Sequence, residues 1–508
     1  MFADKDVYLI GIGGCGMSGL ARMLAAAGAR VAGADSTLTA VTTALVIEGI
    51  DVHDDAGPMP EACDVVVASA AIKPDHPQMI EAQRRGIEAL SYAEALGRCM
   101  AGRTGVALAG THGKSTTTAM LGTALVDAGL DPSVIVGARC SQLAGGALRA
   151  TQANRSATGF RLGSAEIPAG PLAGEPGLLL CEACEYNRSF HSLRPRIASI
   201  GAVEADHLDI YGSLDAVVEA FHAFAQLLPD AEEGGAGGRL LIAHEGGHRR
   251  EVTAGVQCAV ETIGFSPGAD FSVIYDPGDR CVTLMHERRT VARWTMRMPG
   301  DHNAMNAATA CALAIMLGAD ADIIAQSLGA FEGVERRTEF LGERVLEGGG
   351  AVRVWDDYGH HPTEIDKTLR ALREFENPER HHGRLICVFQ PHQHSRTRFL
   401  LDEFASSFEH ADIVIVPHIY FVRDSQAEKH KVSSSDLVDR LRTRGVRAMH
   451  LYPFDAIVEQ LENVCRTGDV LVVMGAGPVW EVAHKYMAGG MDAGSVRTRE
   501  VGHVAGRV

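Results

Sequence analysis

Gly110-Thr111-His112-Gly113-Lys114-Ser115 joins an apolar run, Gly105–Ala109, to a helix-forming run, Ser115–Ala128. The first run reads as a buried strand, so the loop stands at a strand-to-helix turn of a parallel α/β sheet. Glycines let such a turn bend until several backbone N–H groups point at one anion, and the helix N-terminus adds its partial positive charge. Lys114 can then reach the β/γ-phosphates of a nucleotide, Ser115 can ligate Mg²⁺, and Gly110, Thr111, His112, Gly113 and Thr116 complete the loop. Leu108 stands where the longer Walker pattern has its distal glycine, so this is a shortened variant. ATP and Mg²⁺ are the expected ligands.

Upstream, a second glycine turn has the same placement. Val7–Ile12 reads as a strand, Met17–Ala27 as a helix, and Arg30–Ala34 as a returning strand that ends on Asp35. Gly11, Gly13 and Gly16 match the G-x-G-x-x-G spacing that seats a pyrophosphate on a helix N-terminus, with Gly14, Met17 and Ser18 beside them. Asp35 is placed to hold a ribose hydroxyl. Taken alone, the turn suits NAD, FAD or a UDP-sugar equally. No nicotinamide chemistry follows it, and a nucleotide-sugar fits better beside an ATP loop.

Downstream, Glu182 follows the apolar run Leu178–Cys181, and Glu204, Asp206, His207 and Asp209 follow Ile197–Gly201. Carboxylates at strand ends beside a phosphate loop suit Mg²⁺, which prefers oxygen ligands. Cys181-x-x-Cys184 has no second C-x-x-C partner and reads as incidental. Helical patterns at Leu214–Leu227 and Asn303–Leu317 follow. From Phe331 onward, strands at Val352–Trp355, Leu385–Phe389, Ile413–Val416 and Val470–Val473 alternate with helices at Thr363–Phe375, Phe399–Phe408, Ser435–Arg442 and Ala456–Val464. Gln152–Gly177, rich in Gly, Ala and Pro, reads as a loop or insertion.

The 508 residues exceed one ordinary core, and the net charge of −17 argues against a nucleic-acid partner. No apolar stretch approaches the roughly 18 residues of a membrane span, so no membrane insertion is expected. The 11 scattered cysteines fit reduced thiols and a cytoplasmic protein, acting as a monomer or homodimer.

Six motifs in order carry a resemblance: GIGGCGMSGLA (Gly11–Ala21), GTHGKSTT (Gly110–Thr117), EADHLDIY (Glu204–Tyr211), GDHNAMNA (Gly300–Ala307), DDYGHHPTE (Asp356–Glu364) and VFQPHQHSRTR (Val388–Arg398). Over about residues 7–487 the chain resembles the Mur ligases, and within them the alanine-adding branch and its relative, the murein-peptide recycling ligases. The resemblance implies an α/β fold of three domains, with Rossmann-like N- and C-terminal domains flanking a central P-loop ATPase. The boundaries expected are 1–102 for the UDP-sugar domain, 103–330 for the ATP domain and 331–490 for the third. Residues 491–508 are expected to be a disordered tail.

It further implies ATP-dependent ligation of L-alanine to UDP-N-acetylmuramate through an acyl phosphate. Lys114, Glu182, His207 and His360 are the implied catalytic residues, with Ser115, Glu182 and His207 on the metal. His302, Asn303, Asn306, Arg336 and Asp357 are implied ATP contacts, and Tyr358, His360, Arg396 and Arg398 face the substrates. Three departures stand out. Ser115 replaces a Thr, Glu182-Ala-Cys-Glu-Tyr-Asn187 replaces E-A-D-E-S-D, and Gln393 replaces an Arg after His392. No Lys occurs between Leu208 and Ala243, consistent with the alanine-adding branch, which the family places without the carbamylated Lys of its later-acting members. Alternatives are a peptide-recycling ligase, a non-catalytic nucleotide-binding regulator, and a dinucleotide-dependent oxidoreductase using the first glycine turn.

Overall fold

Three sheets, each covered by helices on both faces, follow one another along the chain. The computed structural model describes residues 2–148, 157–231, 237–422 and 424–489. The first sheet holds β1 (Asp6–Ile10), β2 (Arg30–Asp35), β3 (Asp51–Asp54), β4 (Val65–Ala68) and β5 (Glu88–Ser91), all parallel, in the order β3-β2-β1-β4-β5.

The second sheet holds β6 (Thr104–Ala109), β7 (Ser133–Cys140), β8 (Thr158–Arg161), β9 (Leu178–Glu182), β10 (Ile197–Ile200), β11 (Arg239–Ala243), β12 (Ala259–Gly264), β13 (Phe271–Asp276), β14 (Cys281–His286) and β15 (Arg289–Thr295). Its order is β15-β14-β13-β12-β11-β10-β6-β9-β7-β8. Every residue of β6 is buried, as a central parallel strand covered on both faces requires. Its neighbours are β10 and β9. The chains leaving those two strands therefore emerge beside the loop leaving β6, at the carboxyl edge where open α/β sheets bind ligands.

The third sheet holds β16 (Glu339–Val345), β17 (Ala351–Asp357), β18 (Leu385–Phe389), β19 (Ile413–Val416), β20 (Arg447–His450) and β21 (Val470–Met474), ordered β16-β17-β21-β18-β19-β20. Only β16 runs antiparallel. β17 and β18 deliver Asp356–Glu364 and Gln390–Arg398 to one edge.

Three expectations need correction. The central sheet is not purely parallel, because β13, β14 and β15 form an antiparallel meander and β8 pairs antiparallel with β7. Within Gln152–Gly177, residues 158–161 are strand β8, and Glu166 bridges Pro176. The expected helix Phe399–Phe408 is two short helices, His394–Phe399 and Leu401–Ser406, broken where Leu400 leaves helical geometry (φ −112°, ψ 25°). The expected disordered tail, 491–508, lies outside the described residues.

Candidate active site

The loop after β6 folds as its glycines dictate. Gly110 (φ +128°) and Gly113 (φ +80°) both lie in the left-handed half of backbone space. A Cβ on Gly113 would come 2.4 Å from Asn306 Oδ1, and one on Gly110 would come 2.8 Å from the Gly201 nitrogen. Neither position tolerates a side chain. Thr111 N–H donates to Ala202 O at 2.7 Å, and Thr111 Oγ1 accepts from Glu204 N–H at 3.0 Å. The helix Lys114–Asp127 then starts with the side chains of Ser115 and Thr116 buried.

Lys114 Nζ donates to Gly110 O (2.6 Å), Thr111 O (3.2 Å) and Glu185 Oε1 (3.0 Å). Burial works against this ammonium, but the Glu185 carboxylate raises its pKa above the ordinary value, so it stays charged. Glu185, Asp206 and His207 bring one ligand atom each to within 4.8 Å of one another, a group able to hold a cation. Burial also works against the Asp206 carboxylate. Arg396 nevertheless holds it far below the usual range, its Nη2 donating at 2.8 Å. His207 is kept neutral by burial, leaving a nitrogen lone pair for a metal. Tyr186 sets its ring edge-on against His207, centroids 5.1 Å apart.

Glu182, expected on the metal with Ser115 and His207, stands outside that group. It is the last residue of β9, paired across from Leu108, and its Oε1 accepts the N–H of Gly137 on β7 at 2.5 Å. The chain must leave the strand before it can turn toward the loop, so the acid three residues later, Glu185, meets Lys114. Glu204, His361, Thr363 and Glu364 were likewise missed as a set. His112 sits between Glu204 (3.2 Å) and Glu364 (3.2 Å), and Thr363 Oγ1 donates to Glu204 at 2.6 Å.

The structure sorts the remaining expected residues. Asn306 Oδ1 accepts from Thr117 Oγ1 at 3.3 Å and Asn306 Nδ2 donates to Asn303, tying the helix Asp301–Met316 to the phosphate-loop helix. His302 is neutral, its pKa pressed down to about 4 by burial, with Nδ1 buried and free of hydrogen bonds. Arg336 pairs with Asp356 (3.2 Å) and donates to Gly475 O (2.6 Å). Asp357 accepts from the N–H groups of Thr338 and Gly359, each at 2.6 Å. Both therefore shape the edge of the third sheet.

Tyr358 lies under the guanidinium groups of Arg336 and Arg337. His360 is neutral, pressed to about 3 by burial and then by Arg396. Arg396 reaches across to Asp206 and is nearly buried. Arg398 instead pairs with Glu428 at 3.0 Å and is separate from this cluster.

The N-terminal turn is simpler. Asp35 Oδ2 accepts Gly13 N–H at 2.8 Å, so the acid braces the turn. Gly11 has φ +80°, and a Cβ on Gly16 would strike the Tyr92 hydroxyl at 2.8 Å. Gly14 is the N-cap of the helix Cys15–Ala26. Met17 and Ser18 are buried on that helix, the Ser18 hydroxyl donating to Cys15 O at 3.0 Å. Cys15 Sγ lies 3.4 Å from Val136 O on β7, which brings this turn to the central sheet on the side of Glu182.

Known proteins share this three-domain fold. The families described as "Mur ligase family, catalytic domain", "Mur ligase middle domain" and "Mur ligase, glutamate ligase domain" match residues 6–104, 108–314 and 336–477. The UDP-N-acetylmuramate–L-alanine ligase of Clostridium novyi is 34% identical over 488 residues, 95% of this chain and 97% of that one. Among solved structures, the UDP-N-acetylmuramate-alanine ligase MurC of Thermotoga maritima superposes with a TM-score of 0.71 at 22% identity, covering 95% of this chain and 98% of that one. A murein peptide ligase from Psychrobacter arcticus gives 0.68 at 23%, covering 97% and 100%. Three matched domains in order, and a third of all positions identical across nearly the whole length, place the chain in the Mur ligase family.

Proposed function

We propose that this chain joins L-alanine to the lactyl carboxylate of UDP-N-acetylmuramate, using ATP to activate the acid as an acyl phosphate. The observation that carries the reading is the charged Lys114 in the phosphate loop, beside Glu185, Asp206 and His207, with Arg396 of the third domain reaching into the same cluster. The Clostridium novyi relative is named for this reaction.

A carboxylate repels an attacking amine and has no good leaving group. Transfer of the γ-phosphoryl of ATP to it removes both obstacles, and such transfer needs positioning and charge neutralisation more than covalent help. The backbone N–H groups of the loop cradle the phosphates, and Lys114, exchanging Gly110 O and Thr111 O for phosphate oxygens, neutralises the terminal charge. Mg²⁺ fits the donor set of Ser115, Glu185, Asp206 and His207. Glu185 Oε2 is buried 2.9 Å from the Lys114 ammonium without making a hydrogen bond, which leaves a lone pair for a cation. When bound, the ion would supply further neutralisation of the triphosphate.

In the second step the amine nitrogen of alanine bonds to the acyl carbon, the bond to phosphate breaks, and an amide remains. Tyr358, His360 and Arg396 border the place where the amine arrives. His360 is neutral and can accept its proton; burial, then Arg396, keeps it a weak base, and the anionic substrates oppose the second of these. Contacts of the third domain with the central one, including Arg370–Asp301 at 2.9 Å, close the space and exclude water from the acyl phosphate. The N-terminal turn holds the UDP moiety. Among the described residues no helix is long and apolar enough to cross a membrane, and the 11 free thiols suit a reducing cytoplasm.

The test is phosphate release with UDP-N-acetylmuramate across L-alanine, glycine, L-serine and L-Ala-γ-D-Glu peptides. L-Alanine is expected to give the highest kcat/KM. Preference for the peptides would make this a recycling ligase, and no release with any acceptor would remove the reading.

A further inference from the structure

His112 belongs to the phosphate loop, yet its ring faces away from Lys114's partners and into the seam with the third domain. Nε2 lies 3.2 Å from Glu204 Oε2 of the central domain, and Nδ1 lies 3.2 Å from Glu364 Oε1 of the third. Both partners are carboxylates, which only accept. A neutral imidazole has one donor, so two such bonds require the doubly protonated ring. Burial works against that charge, but Glu204 and Glu364 hold the ring up to about 9. Glu204 in turn is held down to about 2, its burial outweighed by His112. The other groups facing the ring are His361, centroids 4.8 Å apart, and Thr363, whose hydroxyl donates to the same Glu204 oxygen.

Glu364 spends its second oxygen locally. Oε2 accepts the N–H groups of His360 (2.9 Å) and His361 (3.2 Å) and so caps the helix Pro362–Glu376. The carboxylate is thus rigidly tied to the third domain and presents its free oxygen to the loop. On the other side, Thr111 is pinned to Ala202 and Glu204, and Gly113 is wedged against Asn306. Between these fixed neighbours, and among the described residues, the His112 side chain connects the loop to Glu364.

We propose that His112 is a positioning residue that couples docking of the third domain to the shape of the phosphate loop, its imidazolium bridging Glu204 and Glu364 only in the closed enzyme. The phosphate grip is then complete only when the amine-bearing domain is in place, so ATP is not spent before the acceptor arrives. This rests on the reading that the loop holds the ATP consumed in the ligation.

The experiment compares wild type, His112→Asn, Glu364→Gln and the double variant in the full chain. Asn keeps a donor and Gln keeps the acceptor that caps the helix, so melting temperatures are expected to stay close to wild type. Each single variant should lower kcat about 10- to 100-fold, the range of one charge-assisted hydrogen bond. The double variant should be within about threefold of the worse single one, because the two changes remove one bond. Glu364→Gln should bind ADP alone as wild type does, since that residue is not on the loop, and more weakly than wild type once UDP-N-acetylmuramate is present.

Small-angle scattering with saturating ADP and UDP-N-acetylmuramate gives a readout independent of turnover: wild type compacts and either variant stays extended. Losses that multiply in the double variant, or equal compaction of all four proteins, would overturn the coupling. An inactive wild type that still compacts, beside variants that do not, would sink the ligase reading and leave the coupling standing.

Discussion

Two strand–glycine–helix turns, Gly11–Gly16 and Gly110–Ser115, look alike on paper and differ in what surrounds them. The first is braced by one acid, Asp35 on Gly13 N–H, with the Ser18 hydroxyl on Cys15 O. The second is ringed by Lys114, Glu185, Glu204, Asp206 and His207 from its own domain and by Glu364 and Arg396 from the third. A turn held by backbone amides and one acid can bind a diphosphate and do nothing more. A turn where cations, acids and a second domain converge can move a phosphoryl group, because the charge that develops in transfer meets groups already oriented for it. Similar loops therefore acquire different chemistry from neighbours brought in by topology.

The widest gap between the two turns should appear on removing the single cation. Lys114→Ala is expected to lower amide formation about 10³-fold while UDP-N-acetylmuramate binding, followed by calorimetry, stays near wild type. Loss of both would merge the two sites into one.

Next comes the acid. Glu185→Gln strands a buried ammonium, a change that costs about 3–5 kcal/mol when a buried pair is broken. It should raise the Mg²⁺ concentration needed for half-maximal rate about 10- to 100-fold. Glu182→Gln, at a side chain that accepts from Gly137 N–H alone among the described residues, should stay within about threefold of wild type. The reverse order would place Glu182, and not Glu185, on the metal.

A smaller effect is expected at the first turn. A Cβ on Gly13 would meet Asp35 Oδ2 at 2.9 Å. Gly13→Ala should therefore weaken UDP-N-acetylmuramate binding about tenfold, the cost of roughly 1.4 kcal/mol of local strain, with ADP affinity unchanged. Weakened ADP binding would show that the turns are not independent.

The smallest effect at neutral pH is titration of His112. Its pKa in the closed enzyme is raised to about 9, above the ordinary value near 6.5. Its contribution to closure is complete below the ordinary value and lost as pH rises through 9. The kcat profile should fall on the alkaline side near pH 9, and Glu364→Gln should move that limb down by about one unit. A limb that does not move would assign it to another group.

Much of this was legible in the chain. Fully buried strands such as Leu385–Phe389 and Ile413–Val416 read directly, because parallel strands covered on both faces are continuous apolar runs. The meander β13–β15 did not, since its half-exposed strands mix Arg, Thr and Asp with the apolar residues. At the site, Lys114 and His207 were visible from motif and strand-end position. The partnerships were not. Arg396 meets Asp206 across 190 residues and His112 meets Glu364 across 252, and no local spacing encodes such pairings. That Glu185 rather than Glu182 meets Lys114 depends on where the strand ends, which sequence does not fix to within two or three residues.

Oxygen tracing tests the central claim most directly. UDP-N-acetylmuramate labelled with ¹⁸O in the lactyl carboxylate is turned over with ATP and L-alanine, and the inorganic phosphate is read by mass spectrometry. Activation as an acyl phosphate by the Lys114 loop predicts one ¹⁸O atom delivered to phosphate for every amide formed. Amide formation that leaves the phosphate unlabelled, or places the label in AMP, would contradict it.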